Sequence, residues 1–185
     1  MSSKTTDTIT ACATASGHSA IAVIRLSGPE AFDILGQYFI KWKQVKEAPR
    51  TMVHGWLRSE AEWIDEVMVC GFAGPKSFTG EDTAEIYCHG NPIVVEKILN
   101  CLMNVGARLA EPGEFTRRAV LNNRLSLMQA ESLADLIASE SPQAHRLAVD
   151  QYKGKLGQRL TTLREQLMNL TAHIELELDF SEEDV

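Results

Sequence analysis

Two ionisable residues stand inside runs that are otherwise apolar. Arg25 interrupts Ala20-Ile-Ala-Val-Ile-Arg-Leu26, and Glu85 interrupts Ala84-Glu-Ile-Tyr-Cys-His-Gly90. A guanidinium or carboxylate in such a run is rarely left unpartnered, because burying it alone is costly. Each taken singly is also read as a strand residue facing solvent, since alternate side chains point to opposite faces. They are opposite in charge, and each lies in an extended segment. The stretch Phe78-Thr79-Gly80-Glu81-Asp82 reads by itself as a polar turn.

The residue patterns of more familiar chemistries are missing. There is no G-x-x-x-x-G-K-[ST] and no G-x-G-x-x-G. Gly74-Pro75-Lys76-Ser77 looks like the end of a phosphate loop, but its lysine follows proline and its upstream glycine is wrongly spaced. A turn between strands is the reading it supports. No G-x-S-x-G occurs, and His18, His54, His89, His145 and His173 show no H-x-x-x-H or H-E-x-x-H spacing. Cys12, Cys70, Cys88 and Cys101 are dispersed without a C-x-x-C pair, which suits small buried hydrophobes in a reducing compartment. No catalytic side chain and no metal ligand is expected.

The elements that must position the charged pair follow from punctuation. Thr8 to Ala13 and Ala20 to Leu26 read as strands. Ser27-Gly28-Pro29-Glu30 supplies a helix start, so Ala31 to Phe39 is predicted helical. Met52 to Arg58 and Trp63 to Phe72 read as strands joined in a hairpin across Ser59–Glu62, and Ala84 to His89 as another. Asn91-Pro92 opens a helix whose buried face is Val94, Ile98, Cys101, Leu102 and Val105, and Gly106 ends it. Arg108 to Ala110 returns as a strand, and Pro112-Gly113-Glu114 opens another helix. Beyond Leu125 only helical signals remain: Leu127, Ala130, Ala134 and Ile137 make one stripe. Leu156, Leu160, Leu163, Leu167, Leu170 and Ile174 make a heptad-like seam. The fold class is therefore α+β, a mixed β-sheet with helices, followed by an all-α segment. The expected boundary lies between 1–121 and 122–185. The seam wants more partners than this chain offers, so it should associate or stay poorly ordered.

With 185 residues the chain is long enough to bury a sizeable core without staples. No apolar run is long enough to cross a bilayer. The first residues lack the apolar stretch of a secretory signal and the arginines of a transit peptide, which points to the cytoplasm. The net charge of −7, from 18 Lys and Arg against 25 Asp and Glu, argues against the chain as a whole wrapping a phosphate backbone. A local basic patch could still touch RNA. The acidic stretch Glu175 to Asp184 reads as a solvated linker.

These pieces together resemble one family. Asp7-Thr8-Ile9, Ile24-Arg25-Leu26-Ser27-Gly28 and Gly74-Pro75-Lys76-Ser77-Phe78-Thr79-Gly80-Glu81-Asp82 come in its order. So do Glu85-Ile86-Tyr87-Cys88-His89-Gly90, Glu111-Pro112-Gly113-Glu114-Phe115-Thr116-Arg117-Arg118-Ala119 and Leu121-Asn122-Asn123-Arg124-Leu125. The chain is similar to the N-terminal part of the MnmE/TrmE family of tRNA-uridine-modifying GTPases.

The resemblance implies an N-terminal domain that binds 5-formyl-tetrahydrofolate or a related tetrahydrofolate and forms a homodimer. A helical domain follows, interrupted by an inserted G domain, and this chain is expected to stop just before that insertion. GTP, K⁺ and Mg²⁺ enter only through the G domain, so these residues by themselves should not hydrolyse GTP. The family works with a flavin-containing, MnmG/GidA-like partner to place a carboxymethylaminomethyl-type group on C5 of the wobble uridine of tRNA. No membrane is involved.

The family's folate-contacting positions fall on Arg25, Glu85 and Arg124. The last is a lysine in the family pattern, and here a planar guanidinium replaces a point charge. A glycine-rich loop of the family is degraded to Ser16-Gly17-His18-Ser19-Ala20. A reduced pterin presents an amino group and a ring N–H side by side, which the Glu85 carboxylate can accept. The carboxylates of a folate tail suit Arg25 or Arg124. Two rival readings are a structural homodimerisation module with a decayed folate pocket and a free-standing one-carbon transferase. The second lacks an evident base or nucleophile.

Overall fold

The computed structural model describes residues 7–181, with side chains for residues 7–176. The chain divides into two compact units between Arg124 and Leu125.

The first unit is built on a six-stranded sheet. Its strands are β1 (Ile9–Cys12), β2 (Ser19–Ser27), β3 (Met52–Arg58), β4 (Trp63–Phe72), β5 (Thr83–Gly90) and β6 (Arg108–Leu109), in spatial order β3-β4-β5-β2-β1-β6. All neighbours are antiparallel except β1 and β6, which run parallel. The alternation visible in sequence decides what each face carries. Ala22, Ile24 and Leu26 of β2 turn into the core with Val67 and Val69 of β4 and Ala84 and Ile86 of β5. They meet the buried side chains of α1 (Ala31–Gly36), α2 (Trp42–Glu47) and α3 (Pro92–Asn104), among them Phe32, Leu35, Val45, Ile98 and Leu102. The residues between them on β2 and β5, Arg25 and Glu85 included, are left on the opposite face.

The α3 start is formed as its sequence signals: Asn91 Oδ1 accepts the Ile93 N–H at 2.9 Å, and Pro92 occupies the first turn. Its end is marked by Gly106 at φ 111°, just past the C-cap. The α1 helix is shorter than predicted and stops at Gly36. The chain must turn there to bury Phe39, which bridges to Leu57, and a Cβ on residue 36 would sit 3.0 Å from the Trp42 ring. The six-residue α2 is not anticipated by any periodicity, because Val45 is its single buried residue. Helix α4 (Glu114–Leu121) follows β6. The turn after it, placed in the second unit by sequence, belongs with the first. Asn122 donates to the Thr79 carbonyl and Arg124 to the Ser77 carbonyl.

The second unit is all helical: α5 (Leu127–Ala138), α6 (Pro142–Tyr152) and α7 (Lys155–Ser181). Ser126 and Gln129 form a reciprocal capping box on α5. Ser141 caps α6, accepting the Ala144 N–H at 3.2 Å, with Pro142 in its first turn. Along α7 the seam from Leu156 to Ile174 remains about half exposed. The linker expected over Glu175–Asp184 is helical as far as Ser181, no glycine or proline being present after Gly157 to stop it. Residues 182–184 lie outside the described residues. No described helix is long and apolar enough to cross a membrane. The observed fold is thus the α+β sheet with helices, then the all-α segment, that the sequence implies.

Candidate functional site

Arg25 and Glu85 are direct partners in the β2–β5 register. Antiparallel partners share a face, so the two charges expected to converge do so by strand pairing. The Arg25 Nε–H and Nη2–H both donate to Glu85 Oε1, at 3.0 and 2.7 Å. The other oxygen, Oε2, accepts the Tyr87 O–H at 2.9 Å. Tyr87 lies two residues along β5, on the same face. The two charged side chains are only 23% and 14% exposed.

Aromatic rings frame the guanidinium. Phe78 stands 5.1 Å and Phe115 5.5 Å from the Arg25 carbon, measured to the ring centroids. A cation between two rings gains from both quadrupoles, more so where water is excluded. Burial and then the bond to Glu85 push the Tyr87 phenol up to about 12. On the far side of β5, Cys70 pairs with Glu85 in register. Its thiol is pushed up by burial first and by the Glu85 charge second, so it stays protonated and inert.

Phe78 is delivered by the loop joining β4 and β5, residues 73–82, which is tied down along its length. The Gly74 N–H donates to Asp82 Oδ1 at 2.9 Å, and the Ser77 hydroxyl donates to the Glu81 carbonyl. Ser27 Oγ lies 2.7 Å from Thr79 Oγ1, and Ser27 donates to Glu81 Oε2 at 2.9 Å. Gly80 has φ 80°, and a Cβ there would sit 3.0 Å from Asn122 and 3.1 Å from Arg124. Only glycine meets both conditions. Gly74-Pro75-Lys76-Ser77 is part of this connection between strands.

Arg124, the third predicted contact, enters at one remove. Its Nε–H donates to the Ser77 carbonyl at 3.0 Å, immediately before Phe78. The geometry therefore joins Arg25 directly to Glu85, while Arg124 clamps the loop that covers Arg25.

The second ring, Phe115, is held by a buried ionic network built on Glu114 and Arg118 of the Glu111–Ala119 motif. Arg118 and Glu114 are one turn apart on α4, and both side chains are 1% exposed. Arg118 donates to the Asp7 carbonyl and Asp7 Oδ1, both at 2.8 Å, to Glu114 Oε1 at 3.0 Å and to Glu81 at 3.3 Å. Arg108 bridges Asp7 and Glu114, each at 2.7 Å. Burial alone would lower the Arg118 pKa, but Glu114, Glu81 and Asp7 outweigh it and raise it. The Arg108 hydrogen bonds are the largest influence holding the Glu114 carboxyl down to about 2. The network locks α4 against the β4–β5 loop through Glu81, and so fixes both rings around Arg25.

Tyr87, Phe78 and Phe115 were not predicted as site residues. The sequence signal for Tyr87 is its i+2 relation to Glu85; for the two phenylalanines it is only their place in the Gly74–Asp82 and Glu111–Ala119 motifs. A separate apolar pocket of about 320 Å³ opens beside the degraded glycine loop, lined by Ser16, Gly17, Ala22, Val95, Leu99 and Met103 among others. It belongs to the α3 side of the sheet, not to the charged pair. Among the described residues no group of His, Cys, Asp and Glu is arranged to hold a metal ion.

Comparison with known families agrees with this division of the chain. Residues 8–124 match the family model described as the GTP-binding protein TrmE N-terminus, and residues 127–185 match the MnmE helical domain. A protein named tRNA modification GTPase MnmE from Bacteroides fragilis is 51% identical over 183 residues, covering 97% of this chain and 39% of that protein. The protein of the same name from Cytophaga hutchinsonii is 51% identical over 181 residues, with the same coverage. The one from Thermotoga petrophila is 43% identical over 177 residues, covering 96% of this chain and 39% of its own. The chain thus spans 39% of the length of these relatives. With a model match over most of its residues and a sheet that assembles the family's motifs around one charged pair, the chain belongs to the MnmE/TrmE family.

Proposed function

We propose that this chain is the folate-binding portion of a tRNA modification GTPase, acting in modification of C5 of the wobble uridine. The observation that carries the reading is the Arg25–Glu85 pair, partly buried between Phe78 and Phe115.

The donor set suits a reduced pterin. A carboxylate has about four lone-pair sites. On Glu85, Oε1 already takes two from Arg25, while Oε2 takes one from Tyr87 and keeps another. A flat edge with two adjacent N–H donors engages both oxygens, so Arg25 must release at least one of its bonds to Oε1. The guanidinium stays between its two rings and turns toward a folate carboxylate or carbonyl. Tyr87, protonated at any physiological pH, keeps the carboxylate plane fixed while this exchange occurs. Arg124, exposed at the loop, is placed to take part in holding the anionic tail. Bound there, tetrahydrofolate supplies the one-carbon unit; this chain's residues bind and orient it.

The chain is further read as homodimerising through its first unit. GTP, K⁺ and Mg²⁺ are assigned to a G domain outside these residues. Its partners are tRNA and a flavin-containing MnmG/GidA-like protein, and its compartment is the cytoplasm. A second reading, a structural dimerisation module with a decayed pocket, is favoured by the altered Ser16–Ala20 loop and by the mutual satisfaction of Arg25 and Glu85. Calorimetric titration with 5-formyl-tetrahydrofolate separates the two. Saturable binding with one site per chain supports the first, and no heat of binding supports the second.

A further inference from the structure

Helix α3 carries two apolar stripes. Ile98 and Leu102 are buried in the core, whereas Val95, Leu99 and Met103 beside them are half-buried and line the hollow of about 320 Å³. Residues four apart lie on one face of a helix, so the second stripe runs about 12 Å along α3. The rest of the wall is made mostly of small residues, Cys12, Ala15, Gly17 and Ala22, together with Leu109. The void follows from the sequence of β2. Ile24 and Leu26 fill the core further along its inner face, but at position 22 that face carries only a methyl group.

Two polar side chains belong to the same hollow. Glu96 and Asn100 are four residues apart on α3, and both are exposed. Among the described residues neither side chain has a hydrogen-bond or ion-pair partner. Lys97, next to Glu96 in sequence, is engaged by Glu62 at 2.8 Å.

We propose that this hollow binds a small apolar molecule carrying a protonated amine. Its hydrocarbon body lies against Val95, Leu99 and Met103, and its ammonium group meets Glu96 and Asn100. The volume is that of a small-ligand site, and apolar walls with a few polar groups are how such sites are built. An ammonium group donates to a carboxylate and to an amide oxygen alike. A carboxylate ligand meets like charge at Glu96, in a chain of net charge −7. A neutral molecule leaves Glu96 without a counter-charge. The site shares no residue with Arg25, Glu85 or Arg124 and does not depend on the folate reading.

Cys12 makes occupancy observable. It is half-buried in the wall, whereas Cys70 and Cys88 are buried and Cys101, also half-buried, lies outside the lining. The probes are 4-phenylbutylamine and the similarly sized 4-phenylbutyrate. The readout is the rate of Cys12 modification by methyl methanethiosulfonate, resolved by mass spectrometry, with Cys101 as internal reference. The amine should slow Cys12 saturably and leave Cys101 unchanged, and the carboxylate should need about ten times the concentration. Glu96→Gln, at an exposed position, should narrow that preference to about twofold or less. Val95→Trp, which fills the hollow, should abolish the protection, with circular dichroism verifying the fold. The proposal is overturned if the amine does not protect Cys12, if it slows Cys101 equally, or if Glu96→Gln leaves the preference intact. It is also overturned if Cys12 slows with protein concentration alone, in step with a dimer seen by sedimentation, because a second copy then covers the hollow.

Discussion

The Arg118 guanidinium holds both the backbone carbonyl and the carboxylate of Asp7, each at 2.8 Å, across 111 residues of sequence. The same guanidinium reaches Glu114 on its own helix and Glu81 in the β4–β5 loop. One side chain therefore ties the start of β1, α4 and the loop carrying Phe78 into a single block. Removing it leaves the Glu114 carboxylate, 1% exposed, with Arg108 and Arg117 but without its buried partner. Breaking a buried pair from one side costs about 3–5 kcal/mol. Arg118→Met should lower the unfolding free energy by that measure, seen by circular dichroism as a lower urea midpoint with an unchanged denaturant slope. A loss below about 1 kcal/mol contradicts the role given to the network.

The network also dictates how stability responds to acid. The Glu114 carboxyl sits at about 2 in the folded chain against an ordinary value of 4.5. A group whose folded pKa is depressed contributes stability that is complete above its unfolded value and disappears as pH falls through the folded one. Its contribution, on the order of 3 kcal/mol, should be whole above about pH 5 and be lost between about pH 4.5 and 2. Thermal melts across that range should show a smaller acid-induced fall for Glu114→Gln than for the parent. Parallel curves contradict the assignment.

Tyr87 supplies a readout at the opposite end of the scale. Its phenol is pushed to about 12 from 10 by burial and by donating to Glu85. Stability from this shift is present below about pH 10 and is lost as pH rises through about 12. In an alkaline titration followed by phenolate absorbance, one of the chain's three tyrosines should ionise near pH 12, and Tyr87→Phe should abolish that step alone. Ionisation of the Tyr87 step near pH 10 would contradict both the burial of the phenol and its bond to Glu85.

Much of the sheet was legible because alternation and turn chemistry agree. The limits of β3 and β4 follow from their apolar periodicity and the short hairpin between them, and Arg25 and Glu85 stood out as charges in apolar strands. What sequence did not reveal depends on tertiary contact. Helix α2 has one buried residue and no stripe to read, and α1 ends early because Phe39 must turn inward. Helix α6 carries a legible start, since Ser141-Pro142 repeats the cap-and-proline signal of Asn91-Pro92. Tyr87, Phe78 and Phe115 gather around Arg25 only once β5, the loop and α4 are folded, so spacing along the chain does not announce them. The roles of Arg118 and Glu114 were hidden for the same reason, since Asp7 and Glu81 are remote in sequence.

The most direct test of the folate assignment is calorimetric titration of 5-formyl-tetrahydrofolate into the parent chain and into Glu85→Gln, which keeps the shape of the side chain while replacing one acceptor with a donor. Loss of one of the two bonds, and of the charge that strengthens the other, should weaken binding at least about a hundredfold, with the melting profile confirming that the sheet is intact. Equal affinities for the two proteins would contradict the claim that the carboxylate facing Arg25 is what recognises the pterin.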